Sequence, residues 1–208
     1  MMIAVVGDCG GNAPALQAAL GAIADEGILT VFQTGNLAGT GGVDTVIALL
    51  KEHGVAVCQG DLDRMLVRFE QKAGTMRGKL DEELFAWLSA THGALSSAGL
   101  EYLRALHKRI DRSIENVRIT VCHGSPSSQT EMMDGETPHV RLQRHREAAQ
   151  ADLLVCGGAP APFQRWADGA LFAGPGHLVD SPGKARFLIV NTESHPWSVE
   201  VRSVAYAS

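Results

Sequence analysis

Four short apolar runs in this chain each lead to a polar residue beside a glycine, and that recurrence limits the fold more than any other feature. Residues 2–7 are rich in Val and Ile and stop at Asp8. Residues 28–33 run on to Gly35-Asn36, residues 55–58 to Gly60-Asp61, and residues 117–122 to His123-Gly124. Short apolar runs bounded by turn residues read as buried strands. Helical patterns lie between them. Asn12 is placed to cap a helix with Pro14 in its first turn and Leu16, Ala19, Leu20 and Ile23 on one face. After a Gly-rich loop at residues 35–42, Asp44 is placed to cap a second helix that ends at His53, with Gly54 just beyond. Leu84, Trp87 and Leu88 form a core-facing stripe on one helix; Leu100, Leu103 and Leu106 do so on another, with Gly93 as the break between them.

A further helix is expected at residues 140–149, ahead of a strand at residues 153–156. The remainder holds strand-like runs at residues 163–166, 170–173, 186–190 and 198–204. Strand–helix alternation followed by a strand-rich end indicates an α/β layered domain. In such sheets ligands sit beyond the carboxyl ends of the strands. Asp8, Asn36, Asp61 and His123 stand there. Taken singly they are ordinary, since Asp and Asn suit turns and a lone His is usually a satisfied polar group. Four at successive strand ends indicate one shared site.

Composition sets the class. The 208 residues suit one domain, residues 1–208, and 45% hydrophobic with 20% charged residues is a soluble globular profile. No apolar run is long enough to span a bilayer. The N-terminus has no basic segment before its strand pattern, so it does not read as a signal peptide. A net charge of −5 and a pI near 5.9 argue against general nucleic-acid binding, which needs a basic surface. Cys9, Cys58, Cys122 and Cys156 match no standard zinc spacing. Without a secretory signal they read as reduced thiols of a cytoplasmic protein.

The motif order resembles that of the small bacterial and archaeal branch of the calcineurin-like metallophosphoesterases, from Ile3 to about Tyr206. That family carries D-x-H after its first strand, where Asp8-Cys9-Gly10 stands here. Its G-D is Gly35-Asn36, its G-N-H-D is Gly60-Asp61-Leu62-Asp63, and its H-G-S-P is intact as His123-Gly124-Ser125-Pro126. Its G-H-T-H reads Gly157-Gly158-Ala159-Pro160 and its N-P-G-S reads Gly174-Pro175-Gly176-His177. The resemblance implies a sandwich of two mixed β-sheets flanked by helices. It also implies a family chemistry of phosphate-ester hydrolysis at two metal ions that activate a water and clamp the phosphate.

Transferred position by position, that site has lost most of its ligands. Gly10, Gly158 and Pro160 replace three histidines with residues that have no ligating side chain. Asn36 replaces the bridging aspartate with a neutral amide, and Asp61 replaces the family's asparagine. Leu62 replaces the histidine implicated in phosphate binding and leaving-group protonation. The expectation is therefore no binuclear centre and a protein retained for binding a small phosphate-containing ligand or a protein partner. The alternative is a one-metal phosphoesterase holding a single Mn, Mg or Zn ion on Asp8, Asn36, Asp61 and His123. Three of the cysteines are expected to fill small buried strand positions. Cys9, within the ligand loop, and His177 are the residues that could rebuild part of the site. The Arg-rich segment at residues 141–146 reads as a solvated helix face.

Overall fold

The structure, a computed structural model, describes residues 1–39, 42–193 and 196–207. In chain order its elements are β1 (Met2–Val6), α1 (Ala13–Asp25), β2 (Thr30–Gln33), α2 (Val43–Glu52), β3 (Ala56–Val57), α3 (Asp61–Arg77), α4 (Glu82–Ala94) and α5 (Ser97–Ala105). There follow β4 (Arg109–Ile114), β5 (Val117–Cys122), α6 (His139–Ala149), β6 (Leu153–Cys156), β7 (Phe163–Ala167), β8 (Ala170–Gly174), β9 (Val179–Ser181), β10 (Lys184–Asn191) and β11 (Ser198–Ala205). One sheet runs β11-β10-β1-β2-β3, with β9 added to β10; the other runs β4-β5-β6-β8-β7. Both are mixed: β1 is parallel to β2 and antiparallel to β10, while β5 is antiparallel to β4 and parallel to β6.

The period of two along the strands builds the layers. Ile3 and Val5 join Phe32, Leu188 and Val190 from their own sheet and Ile119, Val121, Val155 and Leu171 from the other in one core between the sheets. Ala4 and Val6 face the opposite way, into a larger cluster with α1, α2 and the helices beyond. On the far side, Leu142 of α6 packs on Leu154 and Phe172. The result is the expected sandwich of two mixed sheets flanked by helices. Among the described residues no helix is long and apolar enough to cross a membrane.

Local chemistry departs from the sequence expectations in several places. Asn12 does cap α1, its side chain accepting from Ala15 N at 3.0 Å. Asp44 does not cap α2, where no side chain caps Gly42. Its carboxylate instead accepts from Ser96 N and Ser96 Oγ, tying α2 to the start of α5. Gly93 lies inside α4; the break comes at Leu95 and Ser96, where Ser96 caps the next helix by accepting from Gly99 N. Leu106 follows α5 as its cap residue instead of lying within it. Gly60-Asp61-Leu62-Asp63, which follows β3, is the first turn of α3 with Gly60 as its cap residue. Of the Gly-rich loop, Thr40 and Gly41 lie outside the described residues. The Arg-rich helix is not wholly solvated, because His145 is buried on it.

Candidate functional site

The parallel strands β1, β2 and β3 of one sheet and β5 and β6 of the other all end toward one rim. This brings Asp8, Asn36, Asp61, His123 and the Gly157–Gly158 turn together, as the strand-end rule requires. Asn36 is at the centre, with φ +55°, a left-handed conformation that a short amide side chain tolerates. Asp63, in the first turn of α3, holds it there. This fully buried carboxylate accepts from Asn36 N at 2.8 Å, Leu37 N at 2.9 Å and Gly60 N at 2.9 Å. Gly60 is obligatory beside it, since a Cβ there would lie 2.1 Å from Asn36 Oδ1.

The Asn36 amide has one consistent orientation. Its Oδ1 accepts from Leu62 N at 3.0 Å. Its Nδ2 donates to Asp8 Oδ2 at 3.1 Å and Asp61 Oδ1 at 3.0 Å. Turned over, the amide would set its oxygen against two carboxylates and its N–H against another N–H. His123, with no exposed surface, donates from Nδ1 to the Thr34 carbonyl at 2.8 Å. Its Nε2 stands 3.1 Å from Asp61 Oδ1 and 3.1 Å from Asn36 Nδ2.

Charge follows from these contacts. Burial disfavours an imidazolium at His123, but the hydrogen bond to Asp61 and the charges of Asp8 and Asp61 outweigh it and raise its pKa. At Asp61 burial is likewise outweighed, by His123 and Asn36, and its carboxyl lies below the usual range. At Asp8 burial wins and the pKa is raised, against the opposing pull of His123, His177 and Asn36. An imidazolium donating from Nε2 to Asp61 leaves both Asn36 protons for the two aspartates. The donors and acceptors then close on one another, with a side-chain amide and a ring proton where the fold family places metal ions.

A two-metal centre does not fit these residues. The family's bridge is a carboxylate; here the central side chain turns a donor toward the would-be ligands. A Cβ at Gly10 would meet nothing within 4 Å, so that wall is bare. A Cβ at Gly158 would lie 2.2 Å from Met132 Sδ and 3.2 Å from His123 Nε2. Met132 therefore fills the place of the side chain lost at 158, while Gly158 N donates to Asp8 Oδ1 at 3.3 Å. Pro160 has no donor, and its carbonyl accepts from Arg186 Nη2 at 2.9 Å and His177 N at 3.2 Å. Among the described residues no group of three or more His, Cys, Asp or Glu side chains is arranged to hold a metal ion.

What remains is a cleft of about 300 Å³ lined by Asp8, Asn12, Asn36, Leu62, His177 and neighbouring small residues. The described lining includes no Lys or Arg. His177 is half exposed, with Nε2 4.0 Å from Asp8 Oδ2, beyond hydrogen-bond reach. Cys9 lines the cleft by residue but its thiol is buried, donates to the Gly7 carbonyl and has its pKa pushed up by burial. Like Cys58, it is packed as a small buried side chain.

Sequence reasoning missed Asp63 and Met132 as parts of this site. Asp63 had a signal, since an acid at the third position of a helix can accept its cap N–H. Met132 had none, because it reaches Gly158 from the long connection between β5 and α6.

Comparison with known proteins agrees with the fold. The family model for the calcineurin-like phosphoesterase superfamily domain matches residues 1–195. A hypothetical protein from Pyrococcus horikoshii superposes with a TM-score of 0.85 at 23% identity, covering 100% of this chain and 89% of that one. A metallophosphoesterase from Sphaerobacter thermophilus gives 0.76 at 19%, covering 100% and 90%. Vps29 from Entamoeba histolytica, solved with Zn²⁺, gives 0.56 at 19%, covering 100% of both chains. No curated protein matches the sequence.

Proposed function

Because the chain belongs to the calcineurin-like phosphoesterase superfamily, we propose that it keeps that fold as a binding protein and has given up two-metal hydrolysis. The observation that carries this reading is the orientation of Asn36. Its amide donates to Asp8 and Asp61 and is anchored from behind by Leu62 N. To ligate an ion it would have to release that anchor and present its oxygen instead. The remaining lost positions support the same reading: no ligand at Gly10, Gly158 or Pro160, and no proton donor at Leu62 to assist a leaving oxygen.

The cleft would take a small ligand or one element of a protein partner. A phosphate is the poorer occupant, because Asp8 faces the cleft and no Lys or Arg is among the described lining residues. A partner group offering a hydrogen-bond donor suits it better. We place the chain in the cytoplasm as one domain, since four cysteines in 208 residues are far from the disulfide-dense pattern of small secreted domains.

A second reading, a one-metal phosphoesterase on Asp8, Asn36, Asp61 and His123, is favoured by the convergence of those four side chains. The two readings separate in a turnover assay. The wild-type chain, given Mn, Mg or Zn and a chromogenic phosphodiester, is expected to hydrolyse it at close to background. Metal-dependent turnover that disappears in His123→Ala would establish the one-metal enzyme instead.

A further inference from the structure

Immediately before His123 and Gly157, two strands end on cysteines that face each other. Cys122 closes β5 and Cys156 closes β6, and the register pairs them directly across the parallel ladder. Their sulfurs are 3.8 Å apart, and Cys156 Sγ is also 3.8 Å from Met133 Sδ. All three side chains are buried in one apolar cluster with Leu142, Leu154 and Phe172. Nothing in the binding reading above uses these thiols.

We propose that Cys122 and Cys156 are a thiol–disulfide pair, closed by a low-molecular-weight disulfide such as oxidised glutathione. Neighbouring strands lie about 4.8 Å apart, inside the Cα separation of about 4.4–6.8 Å that a disulfide accepts. The sulfurs need only rotate toward each other, from van der Waals contact to a bond of about 2.05 Å. The exchange balances. One cysteine sulfur attacks the reagent and displaces one thiol. The second cysteine sulfur then attacks the mixed disulfide and displaces the other. Each cysteine loses its proton, two reagent thiols are released, and the electron pair lost by the cysteines reduces the reagent.

The surroundings favour this product. A disulfide is neutral and apolar, so it is compatible with a cluster where a thiolate is not. Both thiols are buried, so exchange occurs when the strand ends open. Cys122 and Cys156 immediately precede His123 and Gly157, and Gly157 N already donates to the Cys122 carbonyl at 3.0 Å. Closure would therefore tighten the two strand ends that carry His123 and Gly157.

The test uses the full chain equilibrated in mixed reduced and oxidised glutathione, with enough urea to populate local opening but not unfolding. Acid quench, alkylation and peptide mass spectrometry then read the cysteines. The expected oxidised species links the Cys122 and Cys156 peptides with loss of both thiol hydrogens. Cys122→Ala should leave Cys156 reduced or as a glutathione adduct, with no internal link. The wild-type map alone can overturn the proposal. Cys122 and Cys156 both alkylated, each carrying its own glutathione, or linked to Cys9 or Cys58 instead, would each do so.

Discussion

At the scale of single residues, the site is governed by how many protons point inward. Asn36 contributes two, His123 contributes one to the Thr34 carbonyl and, as an imidazolium, a second to Asp61, and Asp8 completes the acceptors. An aspartate at 36 would remove both amide protons and add a third carboxylate, which this closed arrangement does not accommodate without a cation. Asp63 is the residue on which that arrangement stands, because its three backbone bonds fix the Asn36 turn to the first turn of α3. Asp63→Ala should cost about 3 kcal/mol or more, since three buried N–H groups lose their acceptor. Urea unfolding checks this. A loss below about 0.5 kcal/mol, the usual scale of a neutral surface change, would mean that Asp63 does not hold the turn.

At the scale of elements, the connection from β5 to α6 is the least expected part of the molecule. Gln129 Nε2 donates to the carbonyls of Gln59 and Gly60 at 2.7 and 3.1 Å, and Met132 Sδ occupies the space beside Gly158. Glu131 fastens the segment, accepting from Ser125 Oγ at 2.8 Å and pairing with Arg141 of α6. The Arg141 bond first, then Ser125, holds the Glu131 carboxyl down at about 2, against an ordinary value of 4.5. A carboxyl depressed on folding stabilises fully above its unfolded pKa and loses that contribution as pH falls through the folded one. Thermal melts of the wild type and Glu131→Gln should therefore converge as pH drops from about 5 to about 2. High salt should narrow the gap, since the pair is partly exposed. A gap that does not change with pH would remove Glu131 as the fastening.

Most elements of regular period were readable before the fold was known. Those on β1, α1, β5, β6 and β10 carry dense apolar patterns whose period matches their burial. β4 escaped because its exposed positions are Asp111, Arg112 and Ser113, which read as a polar loop. The start of α3 escaped because Gly60 and Asp61 resemble a turn, although Asp63 at the third helical position is a capping signal. Gly93 misled for the opposite reason, since a single glycine near a helix end is tolerated at modest cost.

At the scale of the whole molecule, the fold and the identity of the cleft residues were legible, and the state of the cleft was not. Strand-end positions follow from topology, so Asp8, Asn36, Asp61 and His123 could be placed together from motif order alone. Which way an amide faces, and which distant side chain fills the gap at Gly158, depend on contacts between segments far apart in the chain. Those contacts give the account its central claim: the rim where the family resemblance implies two ions is here closed by its own hydrogen bonds. The most direct measurement is metal content. Protein purified without chelator, incubated with Mn, Ni or Zn and freed of loose ions, is expected to carry no more than one ion per chain. Two tightly held ions per chain, lost in Asp8→Ala, would contradict it.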